Sequence, residues 1–336
     1  MTGNISNNIP RDYIFDVMKG FGIFLMVLGH TIGPEAPLHK YIYAFHMPLF
    51  FIISGYFVKE KGHLENILLL YNRLIRPFLF IAVCVMVLKT AQHYHNTHEF
   101  YIDIEKVIYG VGPGWFLLAM FWGRILFNVL ISLSACKYLT FALLISSIPT
   151  FLQWTDLFFN IPFNVMQGLS CTVFIAIGHY ARQRNILQLI YQHVWLWIII
   201  SLLLCLNTGY YGEIEMSGSH FKLWIIDYAG AIGGTFLCYC IAKAIVKHAK
   251  TLTGILTKIS IFSLAIFSIH AIDFCIFFWY HITVYISQEH VVAVVLFMRL
   301  ALFYPIILVT SHIPFFYHLF IGKTNPEKML HPSKQN

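Results

Sequence analysis

Ten mostly apolar stretches follow one another along the chain, each near the ~20 residues a helix needs to cross a bilayer core. They fall near residues 14–32, 41–58, 74–92, 114–132, 139–153, 165–181, 189–206, 223–246, 259–280 and 291–313. The pattern predicts an all-α, polytopic integral membrane protein of about ten transmembrane helices around a central cavity. Pro48 and Pro305 fall inside predicted spans, which membrane helices tolerate because neighbours re-satisfy the freed backbone groups. No intervening stretch is long enough to separate two domains. Residues 1–322 are therefore expected to form one membrane domain, and residues 323–336 a polar cytoplasmic tail.

Composition points the same way. Of 336 residues, 58% are hydrophobic and 11% charged, against about 25% charged in soluble domains, and mean hydropathy is +0.71. A polar residue run, 1–10, precedes the first apolar stretch, which lacks an A-x-A-like end, so no cleavable signal peptide is expected. The seven cysteines lie in or beside apolar runs with no C-x-x-C pair, as expected of small buried hydrophobes. The net charge of +7 is a topology signal. Sixteen Lys and Arg residues, from Arg11 and Lys19 to Lys334, fall in the segments and span ends of one side, and only Lys40, Lys89, Lys106 and Lys222 in those of the other. Cytoplasmic segments carry the positive excess, so both termini are expected in the cytoplasm, an arrangement that requires an even number of spans. A nucleic-acid partner is not needed to explain the basic balance.

The candidate chemistry lies at membrane depth, where ionisable groups are costly and mark function. Lys19 precedes His30 by eleven residues on one helix, a rise of about 16 Å. That puts a cation at one surface and an imidazole near mid-depth. His270 lies about 18 Å from Lys258 along its helix. His46 lies about 9 Å in from Lys40, or about 21 Å from the inner face of a ~30 Å core. Three histidines on three helices thus reach similar depth. Imidazole can take a proton from an attacking hydroxyl. Interhelical hydrogen bonding is the alternative role, and for His270 both stay open.

Arg73 and Arg76, three apart at the start of the third span, share a helical face. They suit phosphate or serve as a topology anchor. Arg124 and Arg299 each lie roughly 13 Å from the outer end of their spans, as cavity lining with Asp273 as the carboxylate partner of one of them. Asp16 is expected to pair with Lys19 or Arg11. Glu35 and Trp115 fall at the outer mouth, suited to a sugar, with Trp115 equally suited to the interfacial aromatic belt. His93, His95, His98 and Glu99 lack the second ligand pair of a zinc site, and no metal is expected. No serine-hydrolase elbow, Walker loop or zinc-protease motif occurs.

Five segments in order carry a family resemblance. They are K-G-F-G-I-F-L-M-V-L-G-H (Lys19 to His30), F-H-M-P-L-F-F-I-I-S-G-Y-F (Phe45 to Phe57), Arg73-Leu-Ile-Arg76 before Pro77, Gly112-Pro-Gly-Trp-Phe-Leu117, and Ile266-Phe-Ser-Ile-His270. Together they resemble the membrane acyltransferase-3 family, in particular its fucose 4-O-acetylase-like sugar O-acetyltransferase branch. The resemblance implies acetyl-CoA as acyl donor co-substrate from the cytoplasmic side, with no permanently bound cofactor. It implies a carbohydrate acceptor, in a polysaccharide, lipopolysaccharide or lipid-linked glycan, and a bacterial inner membrane. His30 then becomes the catalytic base, and Lys19, Arg73 and Arg76 hold the donor phosphates. Glu35, His46, Trp115, Arg124, His270 and Arg299 line the acceptor side. Many relatives carry Arg where this chain has Lys19, which gives up the bidentate fork. Direct attack and a transient acyl-enzyme are both open. A transporter or flippase for a glycan or small anion, and a structural subunit of an envelope assembly, are the alternatives.

Overall fold

Asp12 caps the first helix by accepting the Ile14 N–H on its carboxylate, and α1 (Tyr13–Ile32) runs from there to Gly33, whose φ of +74° ends it. The computed structural model describes residues 12–59, 63–277, 279, 283 and 285–322. Arg11, Lys61, residues 1–10 and the tail over 323–336 lie outside the described residues. After α1 come α2 (Pro37–Tyr43), α3 (His46–Tyr56), α4 (His63–Leu70), a π-helical turn over Tyr71–Ile75, and α5 (Arg76–Thr97). A short α6 (Ile104–Ile108) and a 3₁₀ turn at Gly112–Gly114 lead into α7 (Trp115–Leu130), α8 (Ala135–Trp154) and α9 (Val165–Gln183). Then follow α10 (Ile186–Tyr191), α11 (Val194–Tyr210), an antiparallel hairpin of β1 (Ile214–Glu215) and β2 (His220–Phe221), and α12 (Ile225–His248). The described chain closes with α13 (Lys250–Ile261), α14 (Ser263–Ile276), α15 (Gln288–Ala301), α16 (Phe303–His312) and α17 (Pro314–Phe320).

The chain is thus an all-α, multi-pass membrane protein. Helix runs through each predicted stretch among the described residues, although several of them are broken. Among the described residues, six helices are long and apolar enough to cross a bilayer, and a seventh is added if α13 and α14, bent by 68°, form one crossing. The shortfall has physical causes. The stretch predicted over 41–58 is broken at Phe45 (φ −142°, ψ −18°) into α2 and the 11-residue α3. Pro48 consequently lies in the first turn of α3, where its missing N–H is one the helix leaves unpaired anyway. Pro305 likewise sits in the first turn of α16. Helix α9 carries buried Gln167, Ser170, Thr172 and His179, because α3, α7 and α8 surround it.

Small residues bring these backbones together. A Cβ at Gly55 of α3 would strike the Ile175 carbonyl of α9, and one at Gly178 of α9 would strike the Ile52 carbonyl of α3. Helix α1 is held the same way, with Gly20 against the Leu256 carbonyl of α13. Two core clusters meet along α1. Phe15, Val17 and Met18 pack with Leu49, Cys238 and Leu256, while Ile23, Met26 and Val27 pack with α5, α7 and α14. Exposed large side chains such as Trp195, Phe297 and Tyr304 face outward from the bundle, as a lipid-bathed surface allows.

Candidate active site

His30 arrives in the last turn of α1 and His270 in the middle of α14. Their Nδ1 and Nε2 atoms share a hydrogen bond of 2.9 Å, with the rings 10° from parallel. Arg299 of α15 holds this pair in place. Its Nε donates to Asp273 Oδ2 at 2.9 Å, one turn beyond His270. Its Nη1 donates to Thr31 Oγ1 at 2.9 Å and to the His30 carbonyl at 3.4 Å. That carbonyl is among the last four of α1, which have no partner within the helix. One guanidinium therefore joins the end of α1 to the histidine-bearing face of α14. Asp273 is the partner of Arg299, not of Arg124.

His46 opens α3 and donates from Nδ1 to the Ile42 carbonyl at 2.9 Å. Its Nε2 is buried without a hydrogen-bond partner among the described residues and, on that tautomer, presents a lone pair. The Tyr43 ring lies 4.8 Å from that of His46 and 6.1 Å from that of His30, and His39 stacks on it at 3.8 Å. His30, His39, Tyr43, His46, Trp115 and Glu215 line one cavity of about 370 Å³. Its cover is the β1–β2 hairpin. Gln167 of α9 donates to the Ser217 carbonyl at 2.7 Å. Gln153 of α8 donates to the Gly218 carbonyl and accepts from His220 at 2.8 Å. These anchors set Glu215, Met216 and Ser217 over the histidines.

A second cavity, of about 480 Å³, lies toward the opposite end of α1 and is lined by Lys19, Lys59, Arg73 and Arg124. Lys19 is paired with Asp16 at 3.1 Å, and Ser260 donates to the same carboxylate. Arg124 donates to Ser54 Oγ at 2.9 Å. Between the two cavities sits a third, of about 200 Å³, mostly apolar. It shares Ser54, Arg73, Leu74 and Met120 with the cationic cavity, and Met26, Met47 and Phe267 with the histidine cavity. Along α1 the lining residues are Lys19, Ile23, Met26 and His30, spaced four, three and four apart. Eleven residues make about three turns, so the cation and the imidazole stand on one stripe of one helix.

The histidines do converge, together with Trp115, but not by the single-helix depths expected. His30 is in the last turn of α1, the chain breaks at Phe45 between Lys40 and His46, and the 68° bend separates Lys258 from His270. Helix α1 begins at Tyr13, six residues before Lys19. Arg124 sits with Lys19 and Arg73, away from Arg299 and the histidine cavity. The expectation that Arg73 and Arg76 share a face is corrected. Between them the chain takes a π turn, with the Arg76 N–H donating to the Tyr71 carbonyl five residues back, and the α-helical three-residue rule fails. Arg73 lines two cavities, while Arg76 is exposed and reaches Asn72 at 3.4 Å. Glu35 is exposed, and its neighbour Pro34 lines the cavity in its stead. Sequence reasoning missed Tyr43, His39, Lys59 and Glu215. Tyr43 stands three residues before His46, a usable signal, whereas nothing local to Glu215 announces its place.

Residues 12–319 match the acyltransferase domain family. The chain is 31% identical over 185 residues to the nodulation protein NolL of Mesorhizobium japonicum, covering 47% of this chain and 49% of that relative. It is 32% identical over 126 residues to the nodulation protein NolL of Sinorhizobium fredii, covering 33% of this chain and 34% of the relative. The chain thus spans about half, or less, of the length of the curated relatives it matches. No solved structure matches it.

Proposed function

The chain belongs to the acyltransferase domain family, and on that premise we propose that it transfers an acetyl group from acetyl-CoA to a sugar hydroxyl of a cell-surface or lipid-linked glycan. The observation that carries the proposal is the row of adjoining cavities along one stripe of α1, cationic at Lys19 and histidine-lined at His30. A thioester whose nucleotide phosphates rest among Lys19, Lys59, Arg73 and Arg124 would send its slender pantetheine arm through the apolar middle, past Met26 and Phe267. The thioester carbonyl then meets the acceptor at His30.

The chemistry follows from the hydrogen bonds. With the proton on His30 Nδ1 donated to His270, Nε2 is left as the base. It takes the proton of the sugar hydroxyl while the oxygen attacks the thioester carbon. Collapse of the tetrahedral adduct forms the ester, breaks the carbon–sulfur bond, and releases the thiol with the proton His30 carried. On this reading His46 and Glu215 would accept hydrogen bonds from neighbouring sugar hydroxyls, and Trp115 would offer a ring face. The basic residues of the Lys19 end support a cytoplasmic donor side with both termini inside, and the rhizobial relatives support a bacterial inner membrane.

The same row of cavities would also suit a conduit for a glycan or small anion, and release of free thiol from acetyl-CoA by the purified protein separates the two. His30→Ala should cut acyl transfer by about 10²–10⁴ while leaving expression, detergent stability and donor binding intact. His30→Gln, which keeps a hydrogen-bonding group but no base, should be equally inactive. Near-native turnover in the Gln variant would make His30 an orienting residue and return the base to His46 or His270.

A further inference from the structure

Beside the histidine cavity lies another of about 370 Å³, bounded by the last turns of α5, the loop that follows, and the end of α14. Its wall carries Lys89, His93, Tyr101 and Asp103, a mixture of charge signs and an aromatic face. The Tyr101 and His93 rings lie 5.5 Å apart. The loop is tied to α5, and α5 to the end of α14. Thr90 donates to the Tyr101 carbonyl at 3.1 Å, and Gln92 donates to the Ile276 carbonyl at 3.2 Å. Gly112 lines both this cavity and the histidine cavity. Its φ is +48°, and a Cβ there would meet Cys275 Sγ. The partition between the two cavities at that point is Gly112 packed against Cys275 and Phe274.

We propose that this cavity is a second carbohydrate subsite, holding the sugar next to the one that receives the acyl group. The proposal rests on the acyl-transfer reading. Its substrate consequence is an acceptor at least two sugars long, not a free monosaccharide. A tethered concave wall with a few convergent polar groups and an aromatic ring is the build of a small-molecule site. The mixed signs of Lys89 and Asp103 suit hydroxyl groups better than a single anion. Sharing the Gly112 wall with the histidine cavity, the pocket lies beside it, where the adjoining residue of the same glycan would be held.

The test uses the purified full chain and arrayed mono-, di-, tri- and tetrasaccharides of the same sugars. Binding is read first on the His30→Ala protein, which needs no turnover. Glycans of two or more units should bind about tenfold tighter than the matching single sugar, the order of one aromatic contact. Tyr101→Ala and Asp103→Asn should each remove most of that difference with single-sugar binding held within about twofold, and Tyr101→Phe should keep it. Equal binding at all lengths, no binding of any glycan, or a loss at all lengths alike overturns the subsite. Acetyl transfer to the same array by the protein with His30 intact separates the two failures. Length-dependent binding without transfer keeps the subsite and refutes the transferase. Transfer without length dependence does the reverse.

Discussion

Two arginines three residues apart have been given different work by one π turn, and that difference can be measured. Arg73 lines both the cationic and the middle cavity, while the Arg76 guanidinium reaches only as far as Asn72 Oδ1 at 3.4 Å. A charge-assisted hydrogen bond is worth roughly 1.5–3 kcal/mol, and 1.4 kcal/mol is a factor of ten. Arg73 is exposed in the open cavity, and water and salt screen it, so the lower half of that range applies. Arg73→Ala should raise the KM for acetyl-CoA about tenfold to thirtyfold, with the acceptor KM held within about twofold. Arg76→Ala should change the donor KM by less than about threefold, as an exposed contact of that kind allows. The assay is thiol release at saturating acceptor over a range of acetyl-CoA concentrations, repeated at low and high salt. Screening over a Debye length of about 10 Å at 0.1 M should weaken donor binding in the unmodified protein and affect the Arg73→Ala protein less. Equal donor KM effects at both arginines would refute the assignment and return the pair to an anchoring role.

Loss of the Arg299 fork should disturb catalysis before binding. Arg299→Gln leaves Asp273 buried without its cation, a change of order 3–5 kcal/mol, so the thermal midpoint in detergent should fall. A displaced His30 should lower kcat about a hundredfold with donor KM unchanged, and an unaltered kcat would remove Arg299 from the positioning of His30. Gln153→Ala combined with Gln167→Ala frees the hairpin and should raise acceptor KM several-fold at constant donor KM, whereas parallel changes in both would indicate general unfolding. Cysteines placed at Lys40, His95 and Glu213 should react with impermeant reagents from outside the cell, and one at Lys250 should not. The opposite pattern would reverse the donor side.

What the sequence revealed, and what it hid, follows from how local each feature is. The Lys19–His30 relation was legible because both residues sit on one uninterrupted helix, where eleven residues mean about three turns whatever surrounds them. The helical stretches were legible because lipid demands apolar side chains. Helix α9 shows the limit of that rule, since a helix enclosed by other helices can carry Gln167 and His179 at no cost to membrane insertion of its neighbours. The partner of Asp273 could not be chosen in advance, because Arg124 and Arg299 sat at equal predicted depth and only the packing of α15 on α1 decides between them. The π turn escaped because hydrogen-bond register leaves no trace in composition or spacing. Glu215 escaped because a hairpin side chain points where its anchors hold it, and those anchors, Gln153 and Gln167, lie on two other helices.

The contacts of α1 also set an order of events during synthesis. His30 and His270 are 240 positions apart, and Thr31 and Arg299 are 268 apart. At about 5–20 residues per second, the first helix waits on the order of 10–50 s in the membrane before its buried polar partners are made. Asp16 and Lys19 can neutralise each other at once, being neighbours on one helix. His30 and the open carbonyls at the end of α1 have no such local remedy. An incomplete chain therefore offers no paired histidines and no closed path between the cavities. Acyl-transfer competence would switch on only when α15 docks against α1.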